Sequence, residues 1–180
     1  MARRAAAFGM NLVVWSRRFD GQDRAVTEEE AAALGLETAV RQVGVRLASS
    51  PAQVAARCDV LSIHLAASKE TKGLVGAELL SHLKPGTFFV NTARGDVVDH
   101  DALAQAVKDK GIRVALDVYA AEPSSSTGEF QDALLELPNV YGTHHIGAST
   151  DQAQEAISTE TVRIVKTFKE TGTAPNVVNP

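Results

Sequence analysis

Phe88-Phe89-Val90-Asn91-Thr92-Ala93-Arg94-Gly95 passes from a short apolar run, of the kind a buried strand carries, directly into a small-residue turn with one arginine. The pattern recurs twice. Asp117-Val118-Tyr119-Ala120-Ala121-Glu122-Pro123 follows the apolar run Ile112–Leu116, and His144-His145-Ile146-Gly147-Ala148-Ser149-Thr150 follows Val140-Tyr141-Gly142. An arginine, a carboxylate and a histidine therefore appear in order, each just past a short apolar segment. Open α/β sheets place their active sites at the carboxyl ends of their strands.

The rest of the chain supplies the helices that such a sheet needs. Residues 2–8 read as helical, with Gly9 as the terminating glycine, and Asn11–Trp15 as a short buried strand. Thr27 is placed to cap a helix over Glu28–Leu34, with three glutamates in its first turn. Val43–Leu47 reads as a short edge strand, and Ser50 as the cap of a helix from Pro51 to about Arg57. Asp59–Leu65 is the next strand, then a polar loop over Ser68–Gly73, a helix over Glu78–Leu83 and a strand over Thr87–Asn91. Asp99 caps a helix that runs to Lys110 and ends at Gly111. Strands follow at Ile112–Leu116 and Val140–Gly142. From Thr150 to about Glu170, Ala153, Ala156, Ile157, Val162, Ile164, Val165 and Phe168 make one apolar face of a long amphipathic helix. Phe8 and Trp15 are expected in the core. Alternating short strands and helices predict a doubly wound parallel sheet.

Bulk composition fits one soluble α/β unit. The 180 residues are 44% hydrophobic and 22% charged, with a formal net charge of −4, so nothing marks a nucleic-acid surface. No apolar stretch approaches the ~20 residues of a membrane span. Cys58 is the only cysteine, so no internal disulfide forms, and the expected compartment is the cytoplasm. The basic, small-residue start, Met1-Ala2-Arg3-Arg4, lacks the apolar segment of a targeting peptide.

Together the three polar segments resemble the catalytic signatures of the D-2-hydroxyacid dehydrogenase family. The resemblance extends over nearly all of the chain, least securely across residues 19–50. It implies a Rossmann-like fold, partial over residues 1–150, followed by a C-terminal helix and return segment over 151–180. A dinucleotide-binding domain should open with a strand and a Gly-x-Gly-x-x-Gly turn. No such run occurs in these 180 residues, and Ala2–Gly9 look like the tail of the helix that follows it. The chain thus reads as a fragment whose first strand and glycine turn are missing, with two apolar strand edges left without ladder partners. Taken alone it is expected to bind dinucleotide weakly, to be inactive and to self-pair.

Oxidation of a 2-hydroxy acid needs a base near neutrality, a carboxylate to orient it and a planar cation for the substrate carboxylate. The resemblance assigns those roles to His145, Glu122 and Arg94. Proline is usual before the family histidine and is His144 here; Ile146-Gly147-Ala148 fixes His145 as the match. The resemblance also implies NAD as cofactor. Asp117 would face the nicotinamide carboxamide, with Thr92, Ala93, His145 and Gly147 around that ring. Ser62-Ile63-His64 would flank the adenosine, and for His64 a structural role is an equal alternative. Where an acidic residue would grip the adenosine ribose, the chain has Ser16, then Arg17 and Arg18. That substitution favours NADP tolerance, the alternative being ordinary surface arginines. No metal site is expected.

Thr143–Ala156 and Pro175–Asn179 look most like the phosphoglycerate dehydrogenase branch, which implies oxidation of 3-phosphoglycerate in serine biosynthesis. A glyoxylate or hydroxypyruvate reductase, or a non-catalytic binding module of the same fold, are the alternatives. The implied partners are a small 2-hydroxy acid and, in the full-length form, a second copy of the chain, with no nucleic acid and no membrane.

Overall fold

A computed structural model describes residues 1–120, 122 and 131–177. It divides into a unit Met1–Gly142 and a unit Thr143–Pro180.

The first unit opens with α1 (Ala2–Ala7), which ends where Gly9 N–H bonds back to Ala6 O at 2.8 Å and Met10 N–H to Ala5 O at 3.1 Å. Strand β1 is Leu12–Val14, and a 3-10 turn at Arg17–Phe19 follows it. Helix α2 (Glu28–Leu34) starts at a full capping box: Thr27 Oγ1 accepts the Glu30 N–H while the Glu30 carboxylate accepts the Thr27 N–H. Helix α3 (Glu37–Val43) precedes β2 (Val45–Leu47). Helix α4 (Pro51–Arg57) is capped by Ser50, and β3 (Val60–Ile63), α5 (Ala77–Ser81) and β4 (Phe88–Asn91) follow. Asp99 caps α6 (His100–Lys110), Gly111 ends it, and β5 (Arg113–Leu116) and β6 (Val140–Gly142) complete the unit.

All strand pairs are parallel, as expected of a doubly wound sheet. Among the described residues they form two sheets, β1-β2 and β3-β4-β5-β6, and no ladder joins β1 to β3. The doubly wound order 3-2-1-4-5-6 has its first strand between those two. Among the described residues β1 and β3 each pair on one side only.

Each sheet has its own core. Leu61, Ile63, Phe89, Val114 and Leu116 point to one face of the larger sheet, against α5 and α6 through Leu79, Leu80, Leu103 and Val107. Burying a side chain such as Phe89 fully contributes about 1.5–3 kcal/mol. Lys110 ties the two helices by donating from Nζ to the carbonyls of Leu80, Ser81 and Leu83 at the end of α5. A smaller core joins Ala6, Phe19, Val26, Ala31, Ala39, Val45 and Leu47 around β1 and β2.

Two expectations need correction. Val43 belongs to α3, a helix the sequence pattern did not suggest, and the edge strand begins only at Val45. Val40, Val43 and Val45 look like a β-branched strand run. The chain instead stays helical until Gly44, whose φ of +70° breaks it. Phe8 is not a core residue; it is 81% exposed at the end of α1. Trp15 is partly buried, and its indole N–H donates to Asp20 at 2.9 Å.

In the second unit, α7 (Asp151–Thr171) is the long amphipathic helix expected, capped by Thr150 and ended at Gly172. No residue of α7 is buried. Among the described residues no helix is long and apolar enough to cross a membrane.

Candidate functional site

The first unit carries its candidate residues on one edge. Ile63, Asn91 and Leu116 are register partners across β3, β4 and β5. His64, Thr92 and Asp117 are the residues that follow them, so they form a row along the carboxyl edge of the larger sheet. Ser16 and Arg17 stand just past β1, on the smaller sheet. All of these positions lie where a parallel sheet offers a ligand its crevice.

The Arg94 turn is built by Asn91, a residue that sequence reading gave no role. Asn91 is fully buried; its Nδ2 donates to the Arg94 carbonyl at 2.9 Å and its Oδ1 accepts the Ala93 N–H at 3.0 Å. One side-chain amide thus supplies both partners of the turn. The available signal was an asparagine at a strand end, where an Asx turn starts. Thr92 and Arg94 are exposed, so the guanidinium reaches solvent, with Nη1 donating to the Ala93 carbonyl at 2.6 Å.

Next in the chain, Gly95 is buried against the Tyr119–Ala120 peptide. A Cβ there would land on the Tyr119 carbonyl and the Ala120 nitrogen. Only glycine lets the Arg94 turn lie this close to the segment that carries Glu122. Glu122 is half-buried, and its Oε1 accepts the Tyr119 backbone N–H at 2.5 Å. A carboxylate bonded to a backbone N–H has a fixed direction. Asp117 is buried at 5% exposure, and its N–H extends the ladder to Asn91 O at 3.0 Å. The first unit therefore brings together Arg94, Glu122 and Asp117 around β4 and β5.

His145 and Gly147 lie in the second unit, in the stretch before α7, and both are exposed. His145 has a φ of +53°, a left-handed backbone uncommon for a non-glycine residue. Such outliers cluster at functional sites, and no sequence signal announces this one. His144, its neighbour, does not share that positive φ.

Toward the other end of the edge, the Ser62 hydroxyl and His64 Nε2 are 2.9 Å apart. Burial pushes the His64 imidazole below its ordinary range, and the positive amino terminus adds to the effect. Ser16 opens the 3-10 turn without using its side chain as a cap, and Arg17 and Arg18 are exposed. Arg17 lies 3.8 Å from Glu70, a weak surface pairing, and the Arg18 guanidinium rests over Phe19. Among the described residues no three His, Cys, Asp or Glu side chains gather as a metal site.

Comparison with known proteins shows which family the chain resembles over its length. Residues 1–147 match the model of the D-isomer specific 2-hydroxyacid dehydrogenase NAD binding domain. A D-3-phosphoglycerate dehydrogenase of Mycobacterium leprae is 37% identical over 180 residues, which are 99% of this chain and 30% of that protein. The D-lactate dehydrogenase of Aquifex aeolicus, solved with NAD and lactic acid, superposes with a TM-score of 0.75 at 31% identity. That match covers 99% of this chain and 53% of the enzyme. An NADPH-dependent glyoxylate/hydroxypyruvate reductase of Sinorhizobium meliloti, solved with NADP and malonate, gives a TM-score of 0.75 at 27% identity, over 97% of this chain and 47% of that one. The chain spans less than a third of the length of the phosphoglycerate dehydrogenase it matches.

Proposed function

The chain belongs to the D-isomer specific 2-hydroxyacid dehydrogenase family, and from that premise we propose that it forms the catalytic edge of an NAD(P)-dependent oxidoreductase acting on a D-2-hydroxy acid. The observation that carries the proposal is the seating of Gly95 on the Tyr119–Ala120 peptide, which holds the arginine turn beside the carboxylate segment.

In this reading Arg94 pairs its planar guanidinium with the substrate carboxylate, a two-point contact that fixes the orientation of C2. His145 takes the C2 hydroxyl proton in oxidation and returns it in reduction. Glu122 holds the imidazole in one tautomer and stabilises its cation. Retention of all three favours catalysis over a pure binding module, which has no need of an acid/base pair.

The residues present fit part of a nicotinamide dinucleotide. Asp117, Thr92 and Ala93, with His145 and Gly147, would hold the nicotinamide end; His64 and Ser16-Arg17 would lie along the adenosine end. The bound cofactor supplies the hydride acceptor. No glycine turn for its pyrophosphate occurs among the 180 residues. A serine followed by two arginines leaves room for a ribose 2′-phosphate, and the reductase of Sinorhizobium meliloti is NADPH-dependent.

For the substrate, 3-phosphoglycerate is the first choice, supported by identity to phosphoglycerate dehydrogenases along the whole chain, and it places the reaction at the entry to serine synthesis. The likeness to the Sinorhizobium meliloti protein supports glyoxylate or hydroxypyruvate as the second choice. A homodimer and a cytoplasmic setting complete the proposal; a lone cysteine suits the latter.

The test is Arg94→Lys in an active form that contains this segment. Lysine keeps the charge and loses the fork, so KM for the hydroxy acid should rise sharply while cofactor affinity stays nearly constant. Unchanged kinetics would mean that another cation binds the carboxylate.

A further inference from the structure

The segment from Tyr119 to Asp132 carries Glu122, and one imidazole touches both of its ends. His100, the first residue of α6, is within 2.9 Å of an Asp132 carboxylate oxygen through Nδ1, and both side chains are nearly buried, at 13% and 12% exposure. The His100 ring also meets the Tyr119 ring edge-on, with centroids 6.3 Å apart at 74°. Its other nitrogen, Nε2, is buried with no hydrogen-bond partner among the described residues. Among the described residues the imidazole is held by the two ends of this segment and by nothing polar besides.

Both ends have further reasons to be stiff. Tyr119 is 4% exposed, and a Cβ on Gly142 would strike its phenol oxygen, so the ring fills the space glycine leaves beside β6. Asp132 uses its second oxygen to accept the Leu134 N–H at 2.9 Å, which caps the 3-10 turn Ala133–Glu136. Between these anchors, the Tyr119 N–H donates to the Glu122 carboxylate. Whatever fixes Tyr119 thereby fixes the direction of Glu122.

We propose that His100, clasping Asp132 and Tyr119, is a positioning residue that holds Tyr119 in place and so aims the Glu122 carboxylate. The inference rests on the orienting role proposed above for Glu122. His100 touches neither the carboxylate nor a substrate; it acts through Tyr119. A charge-assisted bond between groups this buried persists only if the surroundings hold both partners in place.

The readout is the Tyr119 amide proton, which a bond to a carboxylate moves downfield, followed in 1H–15N correlation spectra of the whole 180-residue chain. Glu122→Ala marks its position without that bond. His100→Ala removes both contacts, and the Tyr119 resonance should move most of the way to the Glu122→Ala position while amides of β3 and β4 stay put. Asp132→Ser keeps the cap on Leu134, since serine is a good N-cap, but is too short to reach His100. It should produce the same displacement with little loss of stability, so the question is answered even if His100→Ala unfolds. A Tyr119 amide at its wild-type position in His100→Ala or Asp132→Ser overturns the inference. A displaced amide, combined with full turnover of Glu122→Gln in an active form, would leave the His100 clasp intact and overturn the role of Glu122 instead.

Discussion

Asn91 and Arg94 are joined by a side-chain amide that donates to the arginine carbonyl at 2.9 Å, so the residue that ends a buried strand also shapes the turn presenting the guanidinium. Strand order, core packing and the position of a charged group meet in that one contact. Gly95 extends it, because the same turn is pressed against the peptide that leads to Glu122.

Gly95→Ala should be among the costliest small substitutions in the chain. The added methyl meets backbone atoms of Tyr119 and Ala120, which have nowhere to go, whereas Gly142→Ala meets the ends of the Tyr119 and Leu135 side chains. Overpacking of this kind costs about 1–3 kcal/mol. Urea denaturation should show a larger loss for Gly95→Ala than for Gly142→Ala; equal small losses would mean that the turn is free to move off the peptide.

Within an active form, His145→Gln should remove most of the turnover, by roughly 10²–10⁴ if it is the acid/base, while His144→Gln should be mild. The left-handed backbone at His145 sets the two neighbours apart. Equal, large losses at both positions would make the pair a unit and refute the assignment.

Acid should weaken the first unit through Glu30. The Arg24 guanidinium, followed by the Thr27 N–H, holds its carboxyl at about 2, below its ordinary value of 4.5. A carboxylate whose folded value is depressed contributes stability above its unfolded value and loses it as pH falls. The contribution is complete above about pH 5 and disappears between 4.5 and about 2. Thermal melts of Glu30→Gln should therefore differ from wild type at neutral pH and converge with it near pH 2; a constant difference at every pH would assign the effect to packing.

Ser16→Asp, in an active form, should shift preference toward NAD over NADP. The new carboxylate would accept hydrogen bonds from the ribose hydroxyls and repel a 2′-phosphate. The ratio of kcat/KM for the two cofactors measures the change, and an unmoved ratio would reduce Arg17 and Arg18 to ordinary surface residues.

The sequence by itself determined the local structure wherever a side chain bonds to its own backbone neighbourhood. Thr27, Ser50, Asp99 and Thr150 cap the helices assigned to them, because an N-cap bond spans only three residues and is written into the order of the chain. The parallel strand/helix alternation and the three motifs were equally legible. Helix α3 was not, since its valines suit a strand as well as a helix and packing of Ala39 against the small core decided between them. Phe8 lies outside the core, and apolar character alone does not reveal which face a short helix buries. What only the tertiary structure decided were contacts between residues far apart in sequence: Gly95 on the Tyr119 peptide, and His100 on Asp132 thirty-two residues away. Such contacts depend on how strands and helices are laid side by side, and no local pattern in the chain encodes that geometry.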